Sequence, residues 1–432
     1  MWGVSMIGEI LEFRRLLKNR KLSSDALREL QNRKLLTIIR HAYENVPYYR
    51  TLFSSVGLSP EDIRTTEDLK HIPITTKDDL RAADAERITA KGIDLSSCIT
   101  TNTSGTTGKS LTIYLTRDEE RTRRLVQFRT LLSIGFNSPD RLAVLGYREP
   151  HHTRLHQHLG FYQSWKISHF LPVEDQIQCL QSIQPTVLWV YPTLLRVLLH
   201  RIEYRLSKFI RPRILITAGE VFDDVMRERI LSDLNIEIFN LYGATEVRII
   251  AGECRTHEGL HINVDHVILE SLDGYKTAEL GSSGTAVVTA LNAFTMPFIR
   301  YRLGDICTFI NNKCSCGSSF PLISQPHGRE EDMVSLPSGR VLSPLPFQSI
   351  LKNIRNIDQF RIIQKGYDQF VLQLVFKEMP NQELLDKIRS QCLSYLDEPV
   401  RFDIQIVDFI QEGKLKFRTF ISKLPSSDLQ RP

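Results

Sequence analysis

Four short apolar runs constrain this chain more than anything else in it. Leu142–Gly146, Val187–Pro192, Ile214–Gly219 and Ile236–Asn240 have the length and the apolar continuity of buried strands. Between them lie Glu174–Ser182, Thr193–Ser207 and Val225–Leu234, where apolar residues recur at helical spacing. Buried strands alternating with helices imply an α/β fold with a mainly parallel sheet flanked by helices. Ligands of such sheets sit at the carboxyl ends of the strands. Two polar stretches begin there: Ala218-Gly219-Glu220, and Tyr242-Gly243-Ala244 followed by Thr245-Glu246. A ligand pocket is expected at those ends.

A third polar stretch lies upstream. Thr103-Ser104-Gly105-Thr106-Thr107-Gly108-Lys109 joins hydroxyls, two glycines and one lysine, then runs into the alternating segment Leu111–Tyr114. Glycines expose backbone N–H groups, hydroxyls add donors, and a lysine supplies a point charge for phosphate. The Walker A loop needs four residues between its glycine and its Gly-Lys pair. Here only Thr106 and Thr107 intervene, so a P-loop is excluded. The plain alternative is a polar hairpin loop.

At 432 residues the chain is long enough for two or three domains. Residues 1–90 read as mostly helical, with Ser24-Asp25 capping one helix and Thr76-Lys77-Asp78-Asp79 opening another. The pattern changes near Gly328. Beyond it, strands at Gln359–Gln364 and Phe370–Phe376, a helix at Gln382–Leu396 and a strand at Arg401–Val407 make a small α+β domain. The expected domains are therefore 1–330 and 331–432. A net charge of +5 over this length is slight, and Thr116–Arg124 mixes both signs, as a solvated helix start does. Nucleic-acid binding is not expected. The most apolar run, Val187 to Leu199, is broken by Pro192 and Arg196, so no membrane span is expected. Charges at Glu9, Glu12, Arg14 and Arg15 argue against a secretory leader. Seven cysteines, with only Cys314 and Cys316 close together, suit a reducing, cytoplasmic setting.

The hydroxyl-rich loop is followed in order by Leu241–Glu246, by Arg300-Tyr301-Arg302-Leu303-Gly304-Asp305, and by Gly328-Arg329-Glu330-Glu331-Asp332. This ordered set resembles the adenylate-forming superfamily of acyl-CoA ligases, peptide-synthetase adenylation domains and luciferases. His41–Arg50 and Leu69–Leu80 resemble the N-terminal signature of its phenylacetate–CoA ligase-like branch, which takes in capsule and secondary-metabolite enzymes. The resemblance implies a large adenylation domain and a small mobile domain. It implies that Thr103, Ser104, Gly105, Thr106, Thr107, Gly108 and Lys109 cradle the β- and γ-phosphates of ATP. Thr245 would reach the α-phosphate and Glu246 would hold Mg2+, which takes one or two carboxylates plus phosphate oxygens. Ala218, Gly219 and Glu220 would flank the adenine, and Tyr242, ahead of Gly243 and Ala244, would stack on it. Asp305 would receive the ribose hydroxyls, with Arg329 beside it. Glu331 and Asp332 fall at the family's hinge. The catalytic lysine of the small domain matches Lys416, with Lys414 as the alternative register.

Cys254 and His261, with Cys314 and Cys316, carry ligand types suited to a structural zinc, and some members of the branch have such a clamp. His257 is the alternative fourth ligand. Cys98, Cys179, Cys307 and Cys392 read as free thiols. His151, His152, His156 and His158, with Tyr147, Phe161, Tyr162 and Trp165, read as a surface loop with core aromatics; the functional alternative is a wall of an acyl pocket. The implied activity is ATP-dependent formation of an acyl-adenylate and acyl transfer to the thiol of coenzyme A. An amine or hydroxyl acceptor, or a nucleotide-binding protein without catalysis, are the competing readings.

Overall fold

The computed structural model describes residues 2–103, 110–147, 160–220, 222, 224–326, 328, 333–342, 344–352, 354, 356–376, 378–410 and 419–424. The chain divides into two compact units. One comprises Met1–Phe222, Leu231–Leu303 and Cys307–Pro326; the other comprises Asp223–Ile230, Gly304–Ile306 and His327–Pro432.

Helices α1 (Trp2–Asn19), α2 (Ser24–Asn45) and α3 (Pro47–Ser55) open the first unit. The cap of α2 is Ser23, whose hydroxyl accepts from Ala26 N, one residue before the expected Ser24. The two serines are chemically equal as caps, and the extended backbone at Ser23 decides between them. Thr76 and Asp79 form a full capping box on α4 (Lys77–Ala82). Buried Tyr49 donates to Pro297 O and accepts from Ile299 N, so this aromatic serves the core.

A hairpin of β1 (Ile99–Asn102) and β2 (Thr112–Leu115) comes next and runs into helix α6 (Arg117–Ser133), α5 being Ala85–Ile88. Five parallel strands follow: β3 (Arg141–Tyr147), β4 (Gln163–Ser168), β5 (Val187–Val190), β6 (Ile214–Ala218) and β7 (Glu237–Ala244). Strand β6 is buried at every residue, as its continuous apolar run demands. The helix at Pro192–Arg201 stops short of the expected Ser207. Glu203 and Tyr204 both take left-handed backbone there, with φ of 51° and 60°, which no helix continues through. Strand β4 rises from the aromatic stretch expected to be a loop, while Tyr162 beside it packs on Phe128 and Phe136. His151, His152, His156 and His158 lie outside the described residues.

The sheet continues through β8 (Arg248–Gly252), β9 (Leu260–Ile262), β10 (Val267–Asp273), β11 (Lys276–Thr277), β12 (Ser283–Ala290), β13 (Tyr301–Ile310) and β14 (Leu322–Ile323). The full order over 12 strands is β11-β10-β12-β13-β14-β9-β8-β7-β6-β5-β3-β4. Strand β8 returns antiparallel to β7 across a tight turn, and the extension beyond it is built from such short connections. The parallel pairing ends at Ala218 and Leu241.

The second unit has a four-stranded sheet of order β19-β18-β17-β20. Its hairpin joins β17 (Ile357–Gly366) to β18 (Gln369–Phe376), and β19 (Arg401–Ile406) and β20 (Phe420–Ser422) add parallel edges. A small hairpin, β15 (Val334–Ser335) with β16 (Val341–Leu342), precedes it. Helices Leu345–Lys352 and Gln382–Leu396 bring Phe347, Leu351, Ile388 and Cys392 into one core with Leu372 and Phe402. Among the described residues, no helix is long and apolar enough to cross a membrane.

Candidate active site

The carboxyl ends of β6 and β7 lie side by side, with Ala218 paired to Leu241. The chain leaves β6 at Gly219 in left-handed backbone, φ 76°, a turn that glycine makes without steric cost. Glu220 then accepts from both the backbone N–H and the hydroxyl of Thr193, at 2.8 and 2.6 Å. Its carboxylate sits at the amino end of the Pro192–Arg201 helix, where the helix dipole favours an anion. Glu220 therefore locks the loops after β5 and β6 together. Tyr242 is buried in β7, and Gly243 follows a β-bulge. A Cβ on Gly243 would lie 1.9 Å from the Arg248 carbonyl oxygen, so only glycine fits this hairpin.

The turn from Ala244 to Arg248 carries Thr245 and Glu246 and is held from three sides. Tyr301 OH donates to Glu246 Oε1 at 2.8 Å. Arg123 Nη2 donates to the Thr245 carbonyl at 2.5 Å. His266 Nε2 lies 2.8 Å from the Val247 carbonyl. The protonation of His266 follows from its partners. Lys34 Nζ engages Asn292 Oδ1, which turns the Asn292 amide N–H toward His266 Nδ1. Nδ1 then accepts, Nε2 donates, and the ring is neutral. Burial agrees, bringing His266 down to about 4. Arg248 closes the turn in left-handed backbone, φ 68°, with its guanidinium on Glu120 and Gln127. Glu246 itself is buried, and beyond the Tyr301 bond its second oxygen has no hydrogen-bond partner among the described residues. A buried carboxylate with one oxygen left open has the chemistry of a Mg2+ ligand.

The mixed charges of Thr116–Arg124 predict a solvated helix start, and the structure corrects this. Glu119 and Arg123 are only 8% and 6% exposed. Glu119 accepts from Phe294 N, Thr295 N and Thr295 Oγ1, tying α6 to the β12–β13 connection. The mixed charges of the segment hid this, because the helical period alone does not say which face a neighbouring turn covers.

Thr103 closes the mouth of the β1–β2 hairpin. Its N–H donates to Leu111 O, and its hydroxyl accepts from Leu111 N at 2.9 Å. Ser104, Gly105, Thr106, Thr107, Gly108 and Lys109 lie outside the described residues, as do Arg329, Glu331, Asp332, Lys414 and Lys416. Asp305 belongs to the second unit. It follows Gly304, with φ 77°, and precedes Ile306, whose N–H bonds the Gly328 carbonyl.

A second constellation lies at the β8–β9 and β13–β14 connections. The ligand atoms of Cys254, His261, Cys314 and Cys316 all fall within 4.8 Å of one another. Cys254 Sγ is 3.5 Å from Cys314 Sγ, and Cys316 Sγ is 3.3 Å from His261 Nε2. A tetrahedral zinc with Zn–S bonds of about 2.3 Å spaces its ligand atoms by about 3.5–4 Å, so the donor set fits. His261 Nδ1 lies 3.0 Å from the Phe320 carbonyl and donates to it, which aims Nε2 at the thiols. His257 is elsewhere, stacked on Phe239 at 4.7 Å. All seven cysteines are free. A cavity of about 750 Å³ lies at the opposite sheet edge against Arg141, Trp165 and Cys179. Neither Tyr242 nor Glu246 lines it, so it is separate from the carboxyl ends of β6 and β7.

No family model matches the chain. It is 28% identical over 384 residues to the phenylacetate–coenzyme A ligase of Escherichia coli, covering 82% of this chain and 84% of that one. The phenylacetate–coenzyme A ligase of Thermus thermophilus is 26% identical, with 78% of this chain and 77% of the relative covered. Among solved structures, a 2-hydroxyisobutyryl-CoA ligase in its postadenylation state superposes with a TM-score of 0.80 at 18% identity, covering 96% and 92% of the two chains. An anthranilate CoA ligase bound to anthranoyl-AMP gives a TM-score of 0.55 at 14% identity, covering 89% and 78%. The fold, the ordered motifs and these relatives agree: the chain is similar over most of its length to phenylacetate–coenzyme A ligases and shares the fold of adenylate-forming CoA ligases.

Proposed function

We propose that the protein is an acid–thiol ligase that activates a carboxylic acid with ATP and hands the acyl group to coenzyme A. The observation that carries this reading is the pinned turn after β7, where Thr245 and a buried, half-occupied Glu246 carboxylate stand beside the Gly219 loop. In the first step a carboxylate oxygen attacks the α-phosphorus, the bond to the bridging oxygen breaks, and pyrophosphate leaves. In the second the thiol sulfur, losing its proton, attacks the acyl carbon and AMP leaves. Thr245 would orient the α-phosphate, and Glu246 would hold Mg2+, which neutralises charge on the phosphates when bound. Ala218, Gly219 and Tyr242 would border the adenine, Asp305 the ribose, and Thr103 to Lys109 the outer phosphates. Lys416 would offset charge at the α-phosphate during the first step.

Cys254, His261, Cys314 and Cys316 would hold a structural Zn2+ that cross-braces two strand connections. The free thiols and the absence of any disulfide suit a cytoplasmic enzyme. The test is pyrophosphate release over a panel including phenylacetate, 2-hydroxyisobutyrate and anthranilate, with and without coenzyme A. Acid-dependent release together with an acyl-CoA product is expected. Release with an amine or hydroxyl product and no thioester would replace coenzyme A as the acceptor, and no release with any acid would end the reading.

A further inference from the structure

We propose that Arg123, on α6 and remote in sequence from every motif above, is the positioning residue that sets the Thr245–Glu246 turn for Mg-ATP. The inference rests on the proposed adenylating activity and deepens it.

The argument starts with the helix. Residues 120, 123 and 127 fall on one face of α6, and that face meets the turn. Glu120 and Gln127 take the guanidinium of Arg248, while Arg123 Nη2 takes the carbonyl of Thr245. A buried arginine on a helix is ordinarily neutralised by acids one turn back. Arg123 has such acids at Glu119 and Glu120, yet both are committed elsewhere. Glu119 is held by Thr116, Phe294 N and Thr295, and Glu120 by Arg248. Arg123 Nε and Nη1 are buried with no hydrogen-bond partner among the described residues. Each orphaned donor costs about 1–3 kcal/mol, and a cation without a paired anion costs more. Burial and the neighbouring Arg248 bring its guanidinium down to about 10.

What the guanidinium does hold is one main-chain oxygen, that of the residue expected to touch the α-phosphate. It is joined there by Tyr301 on the Glu246 carboxylate. Arg248 needs φ 68° for the turn to close, so the turn is strained and must be held. The charges of Glu119, Glu120 and Glu246 all act on the guanidinium, so it also offsets the acids around the turn. Arg123 therefore acts through Thr245 and Glu246, and its unpaired donors are the cost of the arrangement.

The test uses the full chain with Arg123→Met, which keeps length and removes the donor, and Arg123→Lys, which keeps a donor. ATP binding is titrated directly with and without Mg2+, pyrophosphate release is resolved into kcat and KM for Mg-ATP, and the thermal midpoint is recorded. Arg123→Met is expected to stay folded, to bind Mg-ATP at least tenfold more weakly and to raise KM for Mg-ATP by a similar factor. Arg123→Lys is expected to recover most of the loss. If Arg123→Met folds and binds Mg-ATP within twofold of the parent, the assignment fails. If Arg123→Met and a further variant, Arg123→Gln, both fail to fold, Arg123 serves stability and the assignment also fails. A parent protein that binds no Mg-ATP ends the functional reading itself. A parent that binds it, with Arg123→Met binding equally, ends only the role given to Arg123.

Discussion

Helix α6 carries two buried arginines six residues apart, and they are treated in opposite ways. Arg129, 1% exposed, meets Asp265 through Nη1 and Nη2 at 2.6 and 2.8 Å, and also donates to Leu16 O and Asn263 Oδ1. It stacks over the Phe320 ring at 4.9 Å, and Asn19 completes Asp265. Arg123, 6% exposed, has one bond and two unpaired groups among the described residues. Arg129 ties α1, α6 and the β9–β10 connection into one body, and its charge is matched and saturated. Arg123 holds a turn and remains in deficit. A saturated buried cation marks what a fold needs to stand, and an unsaturated one marks where the fold has given up stability for a site.

The sharpest way to break this comparison is Arg129→Met. It leaves Asp265 buried without its partner, so a loss of about 3–5 kcal/mol is expected, read from denaturant unfolding. A fall in ATP affinity with stability preserved would reverse the roles of the two arginines. The next effect belongs to the site side. Glu246→Gln should keep the thermal midpoint within a few degrees while Mg-ATP-dependent pyrophosphate release falls at least tenfold, because one carboxylate charge is removed from the cleft. Release at the parental rate would remove Glu246 as a metal ligand. Cys314→Ser extends the test to the other constellation. Protein purified without chelators should carry about one zinc per chain, and this variant should lose it along with some stability. Elemental analysis of the parent showing no metal would rule out the clamp.

The smallest effect is a pH dependence shared by both arginines' surroundings. His266 supports the turn through Val247 and stands next to Asp265 in sequence. Its folded pKa of about 4 lies below the ordinary 6.5. Above 6.5 its contribution to stability is complete. Between 6.5 and 4 the unfolded chain takes a proton that the folded chain refuses, so stability falls as pH is lowered, by at most about 1.4 kcal/mol per pH unit. Asp265 is also depressed: its burial opposes ionisation, but Arg129, Asn19 and Lys34 together outweigh it, so its own loss follows at lower pH. His266→Gln should flatten the slope between 6.5 and 4 in unfolding curves; an unchanged slope would mean that the ring is not buried neutral.

Much of this molecule was legible before any coordinates. The strands Ile214–Ala218 and Glu237–Ala244, and the helices between strands, follow from apolar period and length, which are local quantities. So does the small-domain order of hairpin, helix and strand. The cysteines were picked out by type, yet only the pairing of β9 with β14 draws His261 toward Cys314 and Cys316 and leaves His257 against Phe239.

What the chain alone decided was therefore where its strands, helices and polar strand ends would fall, since backbone preference and burial period act over a few residues. Tertiary structure decided which charges are buried and which are paired. Glu119 and Arg123 lie in a mixed-sign stretch that reads as a solvated helix start, and Arg129 lies further along the same helix. Their fates depend on Thr295, Thr245 and Asp265, residues more than a hundred positions away. The cost of burying a charge is set by the partner that arrives, and no pattern along α6 records who that partner is.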